Sequence, residues 1–298
     1  MASLKEVKSK ISGVQKTKKI TRAMNMVASS KMRGSQMAME AFRPYAEKFS
    51  EVLGSLAEKA GDEASPLLVP RDEVKKIHVV LCTSDRGLCG GFNNKLTEQA
   101  NSFLKEKSGQ NIEVSLTHFG KKGFKWAQKN KLTIWSSYLD VVGTKIPFDV
   151  AMKAGRKLID SFLNGECDEI YVIYSEFQGM SRQVPTLQKL LPIPPLETGK
   201  TGGDSGGDAA FQAEHICEPS ARELMAEMLP RNIYIQLYRA LLETSTSEHA
   251  ARMAAMDNAT KACNDMIDAL TLTYNKARQA AITAELMDIV GGAEALRG

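Results

Sequence analysis

Hydrophobic positions in the last quarter of the chain repeat at the interval of an α-helix. Between Pro230 and Gly291 there is no proline and no glycine. Apolar or small residues recur at steps of three and four, at Ile233, Leu237, Leu241, Ala251, Ala255, Ala259, Cys263, Met266, Leu270, Tyr274, Ala277, Ala281 and Ala284. This spacing places one apolar stripe along one side of a helix. A single helix of this length would extend for about 90 Å, so we expect it to lie along a partner.

A second helical pattern opens the chain. Ser3 and Glu6 have the spacing of a capping box. Apolar positions then follow at Leu4, Val7, Ile11, Val14, Ile20, Met24 and Val27. The gap between Val14 and Ile20 interrupts the heptad, which predicts a local change in supercoil.

The two helical segments lie at opposite ends of the chain. We assign 1–60 to the N-terminal helix, which Pro44 is expected to kink or end before it continues, and 218–298 to the C-terminal helix. The simplest arrangement pairs them as an antiparallel two-stranded α-helical coiled coil, with the middle of the chain inserted between them.

The middle of the chain, 75–217, alternates short apolar runs with amphipathic segments. Strands are predicted at 77–83, 112–119, 134–138, 169–174 and 184–190, and helices at 95–107, 121–129 and 149–163. This alternation is typical of a small, mostly parallel sheet in a Rossmann-like α/β domain. The glycine-rich segment 198–208 is predicted to be a flexible loop.

Composition is that of an ordinary soluble globular protein, with 43% hydrophobic and 25% charged residues. The net charge of +4 does not by itself imply a nucleic-acid partner. Five scattered cysteines without a CxxC motif argue against a disulfide framework and favour a reducing compartment. No apolar run approaches the roughly 18–20 residues of a membrane span, and the start is unlike a signal peptide. We therefore expect any role at a membrane to be exercised through other chains.

The first helix is basic. Its cationic residues are Lys5, Lys8, Lys10, Lys16, Lys18, Lys19, Arg22, Lys31 and Arg33, and its only acid in this span is Glu6. A solvated helix face and an acidic partner both account for such a run. Nucleic acid is disfavoured because no aromatic residue lies among these lysines and the apolar stripe is committed to a helix.

A glycine-rich turn follows the first predicted strand. It contains Asp85, Arg86, Gly87, Gly90 and Gly91. A dinucleotide phosphate would bind at this place in a parallel sheet. However, the spacing is not GxGxxG, and no acid ends the next strand to hold a ribose. A tight structural turn is the favoured interpretation, and a Rossmann-like nucleotide-binding enzyme with helical arms is the alternative.

Three other patterns give no catalytic or metal site. The segment 199–201 ends like a P-loop, but Pro194 stands where the first glycine is required. The segment 203–207 spells a serine-nucleophile motif within a flexible tract that lacks a rigid scaffold. His78 and Cys82 share a strand face without further ligands, so a satisfied core histidine is favoured over a metal site. We predict no catalytic residue, no cofactor and no metal.

Four segments carry a resemblance to a known family. They are 8–32, the turn 85–91, Ser-Glu-His-Ala-Ala-Arg-Met-Ala-Ala-Met at 247–256, and Tyr-Asn-Lys-Ala-Arg-Gln-Ala-Ala-Ile-Thr-Ala-Glu-Leu at 274–286. Together they closely resemble the gamma subunits of F-type ATP synthases. The resemblance covers essentially the whole chain in order. It indicates a bacterial member, because the cysteine-pair insertion of chloroplast relatives is missing.

The resemblance implies a mechanical role. In this family the terminal helices form a central shaft inside a ring of three alpha and three beta subunits, and the inserted domain lies beside the epsilon subunit and on the membrane-embedded c-ring. Proton flow turns the ring and the shaft, which drives the beta subunits through different affinities for ADP, phosphate and ATP. Nucleotides bind to alpha and beta. The chain would therefore be a non-catalytic, peripheral protein at the cytoplasmic face of the bacterial plasma membrane.

Residue roles carry over to the matching positions. Met24 matches the methionine at which shaft and beta subunit are coupled, although a coiled-coil core residue is the simpler interpretation. Arg278, Gln279 and Thr283 match a polar cluster that hydrogen-bonds to a beta-subunit loop, whereas the residues alone favour a solvated helix face. Apolar residues form the end of the second helix, at Leu286, Met287, Ile289, Val290 and Leu296.

Overall fold

A computed structural model describes residues 4–60, 65–143, 145–194 and 220–295. The chain divides into two compact units, one made of 1–29 with 252–298 and the other of 30–251. The predicted flexible loop at 198–208 and the capping residue Ser3 lie outside the described residues. The predicted domain boundaries at 60, 75 and 217 stay predictions.

Two long helices and an α/β sheet make up the described chain. Helix α1 spans Leu4–Ala60 and helix α5 spans Ala221–Ala295. Between them lie β1 (Lys76–Cys82), α2 (Phe92–Ser108), β2 (Glu113–Phe119), α3 (Lys121–Lys129), β3 (Ile134–Tyr138), α4 (Phe148–Leu163), β4 (Glu169–Phe177) and β5 (Gln183–Leu191). No helix among the described residues is long and apolar enough to cross a membrane.

In the first unit, residues 4–29 of α1 form an antiparallel coiled coil with residues 253–277 of α5. The α1 residues that are at least half-buried include Leu4, Val7, Ile11, Val14, Lys18, Thr21, Asn25 and Ala28, which alternate strictly between steps of three and four. The matching residues of α5 are Met253, Met256, Thr260, Cys263, Ile267, Leu270, Tyr274 and Ala277. The fold class predicted from the sequence is confirmed.

Details of the predicted stripes were wrong. Ile20 and Val27 are 60% and 57% exposed, and Met266 is 53% exposed. Lys18 and Thr21 occupy the helix contact instead, so the heptad of α1 has polar members but no interruption in its spacing. The change in supercoil was predicted because no apolar residue lies between Val14 and Ile20. The buried residues of α1 keep the regular steps of three and four, so their spacing does not require such a change.

Pro44 and Pro230 lie inside the two long helices. Helix α1 continues through Pro44, where an end or a kink was predicted, and α5 includes Pro230 near its beginning. A proline in a helix removes one hydrogen bond to the carbonyl four residues earlier. Pro44 is exposed, so water is available to that carbonyl, and half-buried Phe42 and Ala46 hold the flanking turns against the second unit's core.

The second unit is built around a five-stranded sheet with the order β3-β2-β1-β4-β5. The first four strands are parallel and β5 pairs antiparallel with β4. One face of the sheet buries an apolar cluster with α4 and the parts of α1 and α5 in this unit, and the other face packs on α2 and α3. The prediction of a mostly parallel Rossmann-like sheet is confirmed, although α2 begins at Phe92, earlier than the predicted residue 95.

A run of polar residues in α5, 243–249, is buried on all sides within this unit. The hydroxyl of Ser245 lies 3.2 Å from that of Ser35 on α1. Strand β4 contacts the same run, since Ser247 Oγ donates to the Ser175 carbonyl at 3.2 Å. Arg239 Nε donates to Glu243 Oε1 at 2.8 Å. These contacts give Glu243, Ser245 and Ser247 of the run polar partners in the interior.

Two buried histidines lie on neighbouring strands. His78 Nδ1 is 2.7 Å from Ser115 Oγ, and its Nε2 is 2.8 Å from Thr117 Oγ1, so both ring nitrogens are satisfied as predicted. Neither ring nitrogen of His118 has a hydrogen-bond partner among the described residues. Burial lowers the pKa of His118 to about 4 and that of His78 to about 4, where His118 adds a smaller electrostatic contribution. Both rings are therefore neutral at pH 7.

These lowered pKa values predict acid sensitivity of the second unit. Below the ordinary histidine pKa of 6.5 the unfolded chain binds protons that the folded chain does not bind until about pH 4. The stabilising effect of the neutral rings is complete above pH 6.5 and is lost as the pH falls towards 4. At pH 5 we expect a loss of about 2 kcal/mol per histidine.

The measurement is urea unfolding at pH 7 and pH 5, followed by the fluorescence of the chain's two tryptophans, Trp126 and Trp135, which both lie in this unit. His118→Leu is expected to reduce the difference between the two pH values by about 2 kcal/mol. Gln128→Leu on the exposed side of α3 is the control and is expected to leave it unchanged. An unaltered difference in His118→Leu would contradict the assignment.

Candidate functional site

The register of the coiled coil is defined by one contact between hydroxyl groups. Thr21 Oγ1 on α1 lies 2.8 Å from Thr260 Oγ1 on α5. Counting outward along both stripes places Val14 opposite Ile267 and Ala28 opposite Met253. A second hydrogen bond joins the helices one turn further along α1, where Asn25 Nδ2 donates to the Met253 carbonyl at 2.8 Å. The centre of the helix pair is thus joined by polar contacts where a coiled coil normally packs apolar side chains.

Sequence reasoning missed these polar members of the stripe. Thr21 is 8% exposed, and Lys18 and Asn25 are half-buried. A count of apolar residues cannot find them. The signal that remains is the spacing, since 14, 18, 21, 25 and 28 continue the steps of four and three without a gap.

Met24 is half-buried and lies beside the stripe, one position before Asn25. It is therefore not one of the regular contact positions of the heptad. Its neighbour Met26 is 61% exposed, so the side chain at 24 is distinguished from the solvated positions of α1 by its partial burial. Met24 is placed where it has one side towards the helix pair and one side available to a partner.

The predicted polar cluster on α5 is exposed. Arg278, Gln279 and Thr283 all have exposed side chains. Thr283 Oγ1 donates to the Gln279 carbonyl at 2.9 Å, within the helix. Since Gln279 and Thr283 are one turn apart, they share a face of α5. The side chains of Arg278 and Gln279 are thus accessible to a partner protein.

The end of α5 exposes an apolar segment. Ala281 is the last half-buried residue, and every described side chain from 282 to 293 is exposed. Leu286, Met287, Ile289 and Val290 are 58%, 68%, 70% and 55% exposed. Leu296 lies outside the described residues. Exposed apolar residues at consecutive turns are typical of a surface that binds another protein.

The glycine-rich turn between β1 and α2 is held by its own polar groups. Ser84 Oγ donates to the Arg86 carbonyl at 2.6 Å, and Asn93 Oδ1 accepts from the Ser84 amide at 3.1 Å. Gly90 has a φ of 59°, in the left-handed region that favours glycine. Gly91 is the N-cap residue of α2. The turn is a compact connection between strand and helix.

Asp85 joins this turn to two other segments. Its Oδ1 accepts the amide of Lys121 at the start of α3, at 3.0 Å, and the amide of Asp140 after β3, at 2.9 Å. Gly120 allows the start of α3 to approach the backbone after β1 closely, because a Cβ at this position would lie 2.2 Å from the Thr83 carbonyl oxygen. Gly87 packs against the end of the Lys122 side chain.

This arrangement gives the nucleotide-binding alternative no support. A phosphate cradle requires consecutive backbone amides that are available to the ligand. Here the Ser84 amide is bound by Asn93, and the Phe92 amide donates to the Cys89 carbonyl at 3.3 Å. Strand β2 ends at Phe119, where a ribose-binding acid would be required. No group of three or more potential metal ligands occurs within the described part of the chain.

The comparisons with known proteins cover the whole chain. The family model described as "ATP synthase" matches residues 3–296. The "ATP synthase gamma chain" of Desulfosudis oleivorans is 67% identical over 100% of both chains. That of Desulforapulum autotrophicum is 60% identical over 99% of this chain and 100% of the relative. That of Nitratidesulfovibrio vulgaris strain Hildenborough is 52% identical over 100% of both.

Solved structures have a similar fold. A chain of the central stalk and c-ring structure of Tetrahymena thermophila mitochondrial ATP synthase aligns with a TM-score of 0.57 and 25% identity, over 80% of this chain and 99% of that one. A chain of the Euglena gracilis mitochondrial ATP synthase aligns with a TM-score of 0.67 and 18% identity, over 98% and 94%. On the family model and the full-length bacterial relatives, the chain belongs to the family of ATP synthase gamma chains.

Proposed function

We propose that this chain is the rotor subunit of the central stalk of a bacterial F-type ATP synthase. In this role it couples proton flow through the c-ring to ATP synthesis or hydrolysis at the beta subunits. The observation that supports this most directly is the coiled coil whose second helix continues through the exposed residues 282–293, which include the apolar side chains of Leu286, Met287, Ile289 and Val290. Such an end needs a surrounding protein, and a ring of alpha and beta subunits would provide it.

The coupling is mechanical. One rod that contacts three identical catalytic subunits presents a different side to each, and different contacts stabilise different conformations of the three. A rod that transmits torque must be stiff. The stretch between Pro230 and Gly291 has neither proline nor glycine, which removes the residues that most readily bend a helix.

The proposed partners are three alpha and three beta subunits, the epsilon subunit and the c-ring. Met24, Arg278, Gln279 and Thr283 contact the beta subunits, and Leu286, Ile289 and Val290 occupy the sleeve around the shaft. The α/β unit contacts epsilon and the c-ring, and its turn with Asp85, Arg86, Gly87, Gly90 and Gly91 holds that unit's strand ends together. The chain is peripheral at the cytoplasmic face of the plasma membrane, and the other subunits attach it.

The chain itself is proposed to be non-catalytic, with nucleotides bound by alpha and beta. This agrees with the turn after β1, where the Ser84 amide and the Asp85 carboxylate are bound within the protein. It also agrees with the buried rings of His78 and His118, which are neutral at pH 7.

The first test is isolation from native membranes. An affinity tag on this chain is expected to recover alpha, beta and epsilon subunits in an ATP-hydrolysing complex, identified by mass spectrometry. The purified chain alone is expected to show no saturable ATP binding. Recovery without alpha, beta and epsilon subunits would contradict the proposal, as would nucleotide binding by the isolated chain that is abolished by Gly90→Ala.

Met24→Lys tests the coupling position. The variant places a cation at a half-buried site and is expected to shift the balance of shaft conformations by about 1–2 kcal/mol, roughly five- to thirtyfold in an equilibrium. We expect an assembled complex that hydrolyses ATP but pumps several-fold fewer protons for each ATP. Acidification of inverted membrane vesicles measures the pumping. Met26→Lys, at an exposed position of the same helix, is the control, and equal pumping in both variants would refute a special role for Met24.

Arg278→Ala tests the polar contact of α5. Loss of a hydrogen bond to a charged group at an interface is expected to reduce the rate of ATP synthesis by about tenfold. Lys276→Ala is the matched control, since Lys276 is also basic and exposed but lies on a different side of the helix. Synthesis by energised vesicles is the measurement. Equal rates for the two variants would mean that residue 278 makes no specific contact.

A further inference from the structure

We propose that the Thr21–Thr260 contact is a register lock, which prevents the two helices of the shaft from sliding along each other under torque. The load on the lock rests on the rotor function proposed above, whereas the register itself is a property of this unit of the chain. Thr21, Thr260 and Asn25 would thus be positioning residues for coupling.

The hydroxyl pair distinguishes one register from the others, because each of the two stripes contains a single threonine. Thr21 Oγ1 also lies 3.1 Å from the Lys18 carbonyl, and Thr260 Oγ1 donates to the Met256 carbonyl at 2.8 Å. Each hydroxyl has one proton, so one threonine donates to the other while the second donates to the carbonyl of its own helix. The native register is therefore the one in which both hydroxyl oxygens face a polar group of the other helix.

Slipped registers are well defined for a heptad stripe. To keep both stripes facing each other, a slip must move one helix by seven residues, about 10.5 Å. In one direction Thr21 would face Ile267 and Thr260 would face Ala28. In the other direction Thr21 would face Met253 and Thr260 would face Val14. Both slips therefore break the hydroxyl contact and bury a threonine against an apolar side chain.

Asn25 has a different role in the same unit. Its partner is the Met253 main-chain carbonyl, and main-chain carbonyls recur at every residue of α5. The amide therefore holds the helices together without choosing strongly between registers. The threonine pair carries the selectivity, and the test is built on it.

The test replaces both threonines by valine, Thr21→Val with Thr260→Val, in the assembled complex. Valine has nearly the same volume and removes the hydroxyl contact, so the helices remain packed. The matched control is Thr17→Val with Thr271→Val. These two threonines are exposed, and each donates only to the carbonyl four residues earlier in its own helix.

Register is read by disulfide cross-linking in a Cys263→Ala background. Val14→Cys with Ile267→Cys reports the native register. Val14→Cys with Tyr274→Cys reports the slip by seven residues in one direction, and Val7→Cys with Ile267→Cys reports the slip in the other direction. Cross-linked peptides are identified by mass spectrometry in the resting complex and during ATP hydrolysis. In the valine pair we expect the 14–274 product during hydrolysis to exceed that of the control by about three- to tenfold.

The same complexes are assayed for protons pumped per ATP hydrolysed. A larger yield of either slipped product with reduced pumping supports the lock and its part in coupling. Equal yields of both slipped products, 14–274 and 7–267, in the valine pair and the control would overturn the lock, whatever the pumping. A larger yield with unchanged pumping would leave the lock in place and contradict the proposed transmission of torque through this pair.

Discussion

The helix pair of residues 4–29 and 252–293 depends on one constraint, which is that each helix buries its apolar stripe against the other. An isolated helix gains little stability from hydrogen bonds and residue propensity alone, and packing of an amphipathic face provides most of it. Ile20, Val27 and Met266 stay exposed on the outer sides of this pair, so the shared stripe is the surface that both helices bury within this unit. Where the partner ends, after Ala281, every described side chain of α5 is exposed. The same rule explains both the paired region and the apolar end.

Spacing predicted the architecture because it is a local property of the sequence. The period of 3.6 residues in the helices and the β-branched runs of the strands are visible without knowledge of any contact. What spacing alone could not decide is which residue types occupy the stripe. Ile20 and Val27 are apolar but exposed, whereas Lys18 and Thr21 lie in the contact. Hydroxyl groups that bond to a carbonyl of their own helix lose much of the cost of burial, so polarity is a poor guide at these positions.

The turn after β1 shows the other limit of sequence reasoning. Its glycines and its place after a parallel strand are typical of phosphate-binding loops, and the fold around it is Rossmann-like. What distinguishes it is the use of Asp85, which accepts amides 36 and 55 positions further along the chain. Such hydrogen bonds depend on the tertiary structure and cannot be predicted from a local sequence pattern. A common fold therefore leaves the function open until the bonds of the site are known.

Buried polar residues in the long helices lower the free energy gained from apolar packing but favour a single alignment of the helices. A stripe of leucines would bind its partner more strongly, yet a uniform apolar stripe packs nearly as well after a shift of one heptad. Thr21 and Thr260 give up some apolar burial and gain a contact that exists in one alignment only. In the second unit, the buried run 243–249 bonds to Ser35 on one side and to Ser175 on the other. Directional bonds there fix both the rotation and the axial position of α5, which apolar packing alone leaves less defined. For the rotor subunit proposed above, an alignment that does not shift is of more use than additional free energy of unfolding.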